Sequence, residues 1–203
     1  MADDGQRHNT LPTREQILDA AFRLFATEGI RQTTLADVAL EVGVQEADVR
    51  RHFDEVDALL MGVLEWVDSS FVDAEIHMAG APWSSEESVR RLSAGAEVLA
   101  ERPLLARLRV VVSFEAIVRD GAARRYVQER TEAIRWWFSQ ILLEGIRRGE
   151  FAPDLDPDSR AAEIFAFMEG IQIQWLLHPD RIDLVAAYES YLDDVLEQIM
   201  VES

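Results

Sequence analysis

Arg50 and Arg51 stand side by side at the end of a short apolar-patterned run, with Glu46 one helical turn before the first and Asp48 three residues before the second. Guanidinium groups so placed can grip phosphate oxygens or the O6 and N7 edge of guanine, and a carboxylate such as Glu46 can accept from the N4 amine of cytosine. The same acid in the first turn of a helix would equally serve the helix dipole. A second set is apolar with one charge inside it. Glu115 interrupts the stripe Leu104, Leu108, Val111 and Val118, and a buried carboxylate needs a partner. Arg119, one turn on, can supply that partner locally; the other reading makes Glu115 a polar anchor for a ligand in an apolar pocket. Phe114, Trp136, Trp137, Phe138 and Trp175 form an aromatic group at helical spacing. Such residues are usually core. Neighbours such as Trp136 and Trp137 point to different helix faces, so at most one lines a given cavity.

Other chemistries lack their residues. The histidines, His8, His52, His77 and His178, are scattered without the spacing of a metal site, and there is no cysteine. No GxSxG, phosphate-binding or dinucleotide-binding glycine pattern occurs. The expectation is a protein that is not an enzyme and carries no metal and no cofactor. A net charge of −18 argues against binding nucleic acid over the whole surface, so any DNA contact must be local. All 20 basic residues are arginine. The opening MADDGQRHNT lacks the apolar stretch of a signal peptide, and no apolar run is long enough to span a membrane. A cytoplasmic protein with no membrane partner is expected.

The elements that must position these residues are helices. Apolar residues recur at helical spacing nearly throughout, and strand-like alternation is absent. An all-α chain of about nine helices is expected. The first runs from about Thr13 to Glu28, opened by the capping-box pair Thr13 and Gln16 and closed by Gly29, with Ile17, Ala21, Leu24 and Phe25 inward. The second begins near Thr34, with Leu35, Val38, Ala39 and Val42 inward; the third covers about Glu46 to His52. Further helices are expected from about Val56 to Met78, Glu86 to Glu101, Pro103 to the Asp120-Gly121 break, then up to Arg148-Gly149. AGAPWSS and EFAPDLDPD break the chain; the eighth helix runs from about Ser159 to Leu177, and the ninth carries Leu184, Tyr188, Leu192, Val195 and Ile199 on one face.

The stretch TTLADVALEVGVQEADVRRHF has the form of a helix-turn-helix. Ala39 lets the second helix approach the first, Gly43 frees the turn, and Val38, Val44 and Val49 form the small core between them. In such a unit the second helix enters the major groove and its first turn points backbone N–H groups at phosphates. Charges within 43–53 cancel, and residues 12–60 hold five Arg against ten acids.

ILDAAFRLFATEGIRQTTLADVALEVGV, followed by HF and ALL, resembles the tetracycline-repressor (TetR) family. The match includes Ala20-Ala21, Phe25, Gly29, Thr33-Thr34, Asp37-Val38-Ala39, Gly43-Val44, Phe53 and Leu59-Leu60. GIRRGEF, DP and EGIQIQWLLHP are similar to the ligand-binding half of many members. The chain departs from common family residues at Gln45-Glu46 (often Ser-Lys), Asp48 (often Thr), Arg50 (often Tyr) and Val56 (often Lys). The resemblance implies a DNA-binding transcriptional regulator, a repressor released from a palindromic operator in double-stranded DNA by a small-molecule inducer. It places an N-terminal three-helix DNA-binding domain at 1–60 and a C-terminal helical ligand-binding and dimerisation domain at 61–203. Thr34, Gln45, Glu46, Arg50, Arg51 and His52 are the candidate DNA contacts. Phe71, Phe114, Glu115, Trp137, Met168 and Trp175 are the candidate ligand contacts, and they suit a largely apolar inducer with room for a cationic group. The homodimer is expected through helices eight and nine, with Ile164, Ile171, Leu192 and Val195 at the interface. The alternative is a helical ligand-binding or protein-interaction module of the same fold with weak or lost DNA binding.

Overall fold

The computed structural model describes residues 12–78 and 84–201, for 69–78 the backbone alone. Among them lie ten α-helices: α1 (Arg14–Thr27), α2 (Leu35–Val42), α3 (Glu46–Arg50), α4 (Val56–Met78), α5 (Ser85–Arg90), α6 (Ala94–Glu101), α7 (Pro103–Val118), α8 (Ala122–Arg148), α9 (Pro157–Leu177) and α10 (Leu184–Ile199). A single 3₁₀ turn at Arg91–Ser93 divides α5 from α6, so the one helix expected over 86–101 is two. The opening tail and much of AGAPWSS lie outside the described residues. No helix among the described residues is long and apolar enough to cross a membrane.

Packing divides the chain into two units, Met1–Asp73 and Ala74–Ser203. The division falls inside α4, as the sequence-based one near residue 60 does. It falls later because Leu59, Leu60, Val63, Leu64 and Val67 on α4 are all buried, and they complete the core of the first unit. That core also takes Ile17, Leu18 and Phe25 from α1, Val38 and Ala39 from α2, and Val49 from α3. Gly62 is where α4 meets Phe53; a Cβ there would lie 2.8 Å from the ring, so only glycine permits the contact. Thr13 opens α1 with the expected capping box: the Gln16 N–H donates to its hydroxyl and the Thr13 N–H to the Gln16 side chain.

In the second unit α8 packs on α7 and α9, while α10 packs on α5, α6 and α9. Leu108, Leu142, Ile164, Leu184, Leu192, Leu196 and Ile199 are fully buried there. The end of α8 is tied down by the chain's last residues. Phe151 and Met200 form an isolated β-bridge; the Ala152 N–H donates to the Ile199 carbonyl (2.8 Å) and the Val201 N–H to that of Glu150 (3.1 Å). The buried Phe151 ring lies flat on Gly145 of α8.

Two expectations change here. The stretch making α7 is apolar on most sides, which predicts a helix buried in the middle of a bundle. Instead Leu105, Ala106, Leu108, Val112 and Ala116 face inward, and Phe114, Ile117 and Val118 are exposed, because the second unit covers only one side of the helix. The dimer residues also move. Ile164, Leu192 and Val195 are 0%, 1% and 1% exposed within one protomer. Their stripes are spent on the protomer's own core, so within one protomer they offer no surface for a second chain. Ile171 is half-buried.

Candidate nucleic-acid interface

The first unit builds a helix-turn-helix from α2 and α3. Thr34 caps α2: its hydroxyl accepts from the Asp37 N–H (3.2 Å) and donates to the Asp37 carboxylate (2.6 Å), which also accepts the Thr34 N–H (2.8 Å). These bonds hold the Asp37 carboxyl below the usual carboxylate range, the Thr34 hydroxyl contributing most. Thr34 is thus committed to the cap. Gly43 ends α2 at φ +80°, the left-handed conformation the turn requires. Val49 of α3 is buried against that turn's core, as its spacing predicts.

Gln45, Glu46, Arg50, Arg51 and His52 are brought together on α3 and its flanks. Gln45 precedes the helix, and its N–H donates to the Asp48 carboxylate (3.3 Å). Both arginines are paired within the helix. Arg50 donates from Nε to Glu46 Oε1 (2.8 Å), its Nη2 lies 2.6 Å from the same oxygen, and its Nη1 donates to the Asp54 carbonyl (2.9 Å). Arg51 Nη1 lies 3.3 Å from Asp48 Oδ1. All four side chains stand on one short helix and its C-cap, Arg51, so the charge cancellation read from the sequence is also cancellation by contact. The i, i+4 and i, i+3 spacings foreshadow these pairs. The Asp54 carbonyl was missed, since nothing in residue types announces a backbone acceptor. Asp48, read from the sequence only as a charge set against the arginines, is buried and serves as both cap and counter-ion.

The candidate ligand residues are less concentrated. Met168 and Trp175 share the buried stripe of α9, and Trp137 on α8 is half-buried beside Phe138, ring centroids 5.5 Å apart. Phe114 is 55% exposed, on the outer side of α7. Glu115 lies 3.6 Å from Arg119, the local partner its spacing predicts. The Phe71 side chain lies outside the described residues. Two polar side chains on this stripe's surroundings were missed. Gln172, buried between Met168 and Trp175, donates from Nε2 to the Ala106 carbonyl (2.9 Å). The Tyr188 hydroxyl donates to the Met168 carbonyl (3.1 Å), and burial pushes its phenol far above the ordinary value, so it remains a donor at all physiological pH. A lone glutamine one turn after Met168 on an apolar stripe was the available signal.

Residues 17–61 match the model of the tetR family of bacterial regulatory proteins, and residues 89–200 match that of the C-terminal part of BetI-type transcriptional repressors. The HTH-type transcriptional regulator TtgR of Pseudomonas putida is 30% identical, over 92% of this chain and 91% of its own. The HTH-type transcriptional repressor KstR2 of Mycobacterium tuberculosis is 28% identical, over 93% and 94%. A transcriptional regulator from Saccharomonospora viridis, solved in complex with choline, shares the fold at a TM-score of 0.80 and 23% identity, over 93% of this chain and 98% of that one.

Proposed function

The chain belongs to the TetR family of transcriptional regulators, and from that premise we propose that it is a homodimeric repressor released from a palindromic operator by a small molecule. The observation that carries the DNA half is the helix-turn-helix of α2 and α3, capped at Thr34, turned at Gly43 and ending in the exposed Arg50 and Arg51. Arg50 and Arg51 make the direct contacts, with Gln45, Glu46 and His52 beside them and Thr34 holding α2. The second unit binds the ligand and dimerises, and the protein acts in the cytoplasm.

The ligand is largely apolar with room for a cationic group. Met168 and Trp175 on the buried stripe of α9 and the half-buried Trp137 of α8 support this reading, and so does the choline held by the Saccharomonospora protein of the same fold. The dimer forms through α9 and α10, the last two helices, using the faces their core stripes leave outward. On α9 these are Ala166, Phe167, Gly170 and Gln174, where a Cβ added at Gly170 meets nothing within 4 Å. On α10 Tyr191 stacks on Phe167 at 3.8 Å.

Coupling runs along α4, which begins just after α3 and continues into the second unit. A ligand that favours one tilt of α4 changes the separation of the two recognition helices. Half-sites on one face of B-DNA repeat at about 34–36 Å, so a few ångströms of spreading break simultaneous docking. Linkage requires the converse: operator must weaken ligand binding by the factor by which ligand weakens operator binding. The test is a gel-shift on the DNA upstream of the chain's own gene, followed by a fluorescence titration of apolar and cationic compounds with and without operator. Retarded DNA that a bound compound releases supports the reading. A tight ligand whose affinity ignores operator contradicts the coupling, and a protein that retards no fragment at low salt contradicts the function.

A further inference from the structure

Glu46 has the wrong sign for a residue on a DNA-reading helix, and its contacts give it a different task. A guanidinium carries five N–H donors in a fixed plane. On Arg50, Glu46 Oε1 takes the Nε hydrogen at 2.8 Å and pairs with Nη2 at 2.6 Å, while the Asp54 carbonyl takes one hydrogen on Nη1 at 2.9 Å. Each terminal nitrogen keeps at least one N–H for a further acceptor. Two donors on the terminal nitrogens of one planar group match the O6 and N7 acceptors of guanine in the major groove.

We propose that Glu46 is a positioning residue that presets Arg50, through the Glu46–Arg50–Asp54 clamp, to read one guanine in each operator half-site. The inference rests on the operator-binding function proposed above and adds the residue that fixes specificity within it. Three features carry it. The arginine is held at both ends of its plane, by a side chain of the same helix and by backbone just beyond it, so its aim does not depend on DNA being present. Glu46 and Arg50 together are neutral, which removes most of the long-range pull of phosphate and leaves the short-range, directional bonds by which bases are told apart. Arg51 differs: it pairs with the capping acid Asp48 at 3.3 Å and, among the described residues, lacks the backbone clamp that holds Arg50, so it suits a backbone phosphate.

Selection of random duplexes by the wild-type protein decides first whether a half-site exists. Its preferences are then compared with those of Arg50→Ala, Glu46→Ala and Glu46→Gln. A guanine preference that Arg50→Ala abolishes is expected, since one bidentate pair gives roughly tenfold to hundredfold discrimination. Glu46→Ala should reduce that preference about tenfold while its binding to unrelated DNA rises, one acid fewer facing the phosphates. Glu46→Gln keeps an acceptor for Arg50 and should retain most of the preference. In the DNA-free protein the Arg50 Nε–H signal should be protected from exchange and lose protection in Glu46→Ala, a readout independent of any operator. If Glu46→Ala keeps the wild-type base preference, or tightens cognate and unrelated DNA by the same factor, Glu46 merely opposes phosphate and the inference is overturned alone. If wild-type protein enriches no sequence, both this inference and the operator-binding function fall.

Discussion

Replacing Gly145 by alanine tests the tie between α8 and the chain's last residues. A Cβ at this position would sit 2.7 Å from Cγ of Phe151 and closer still to Cδ2 and Cε2. The ring cannot swing aside cheaply. It is 1% exposed, and the backbone beneath it is pinned: the Gly145 carbonyl accepts from the Glu150 and Phe151 N–H groups at 3.0 and 3.2 Å, and the neighbouring residues bond to Ile199 and Val201. Inside a helix the substitution would by itself stabilise by about 1 kcal/mol, the difference in helix propensity. Against this stand an overpacking cost of about 1–3 kcal/mol if the ring shifts in place and about 3–5 kcal/mol if it is expelled. A net loss of about 2 kcal/mol is expected. With a urea dependence of about 2 kcal/mol per molar, the unfolding midpoint should fall by about 1 M. Adding Phe151→Leu should return part of the loss, with a coupling of about 1 kcal/mol or more between the two positions. If Gly145→Ala is as stable as the wild type or more so, the ring is free to move and the tie does not exist.

Three further outcomes follow from the same contacts. Phe167→Glu should yield a folded monomer in sedimentation experiments, whereas Leu192→Arg should unfold the second unit; a folded monomer from the latter would return Leu192 to the interface. Arg51→Ala should weaken binding to every DNA sequence alike and lower the salt slope by about 1, and a loss confined to one base pair would contradict a phosphate role. Thr34→Ala should raise the Asp37 pKa towards its ordinary value in an NMR titration, since the Thr34 hydroxyl is the main cause of its lowering. Because the folded pKa is the lower one, Asp37 stabilises the fold above its ordinary value and that contribution is lost as pH falls through the lowered one. The variant's first unit should therefore be less stable than the wild type near neutral pH, with the difference closing as pH falls, and an unmoved Asp37 would show that the cap is not what holds it.

Where local rules suffice, the residues announce the structure. Thr13 and Gln16 cap α1, Gly43 turns between α2 and α3, and Val38 and Val49 are buried as their spacing requires. The ion pairs of Arg50, Arg51 and Glu115 also follow from spacing within one helix. What escapes is whatever depends on the path of the chain outside a helix or on what lies opposite. The Asp54 carbonyl reaches Arg50 only because the backbone turns back past Phe53. Phe151 covers Gly145 from a loop. An apolar face also looks the same in sequence whether its own chain or another covers it. That ambiguity put Ile164, Leu192 and Val195, which are buried in the protomer's own core, among the interface candidates and hid the exposure of Ile117 and Val118 on α7.

The paired arginines of α3 bear on how a regulator finds its target. A genome offers about 10⁶–10⁹ competing sites, and a strongly basic reading head spends most of its time held on them, sliding and hopping. A chain of net charge −18 whose reading helix is neutralised in place has little such retention. On this reading its search is expected to run mainly through solution, with brief collisions that end unless the base edges match, and the copies left off DNA stay open to ligand, so that the response follows this free pool and not slow escape from unrelated DNA.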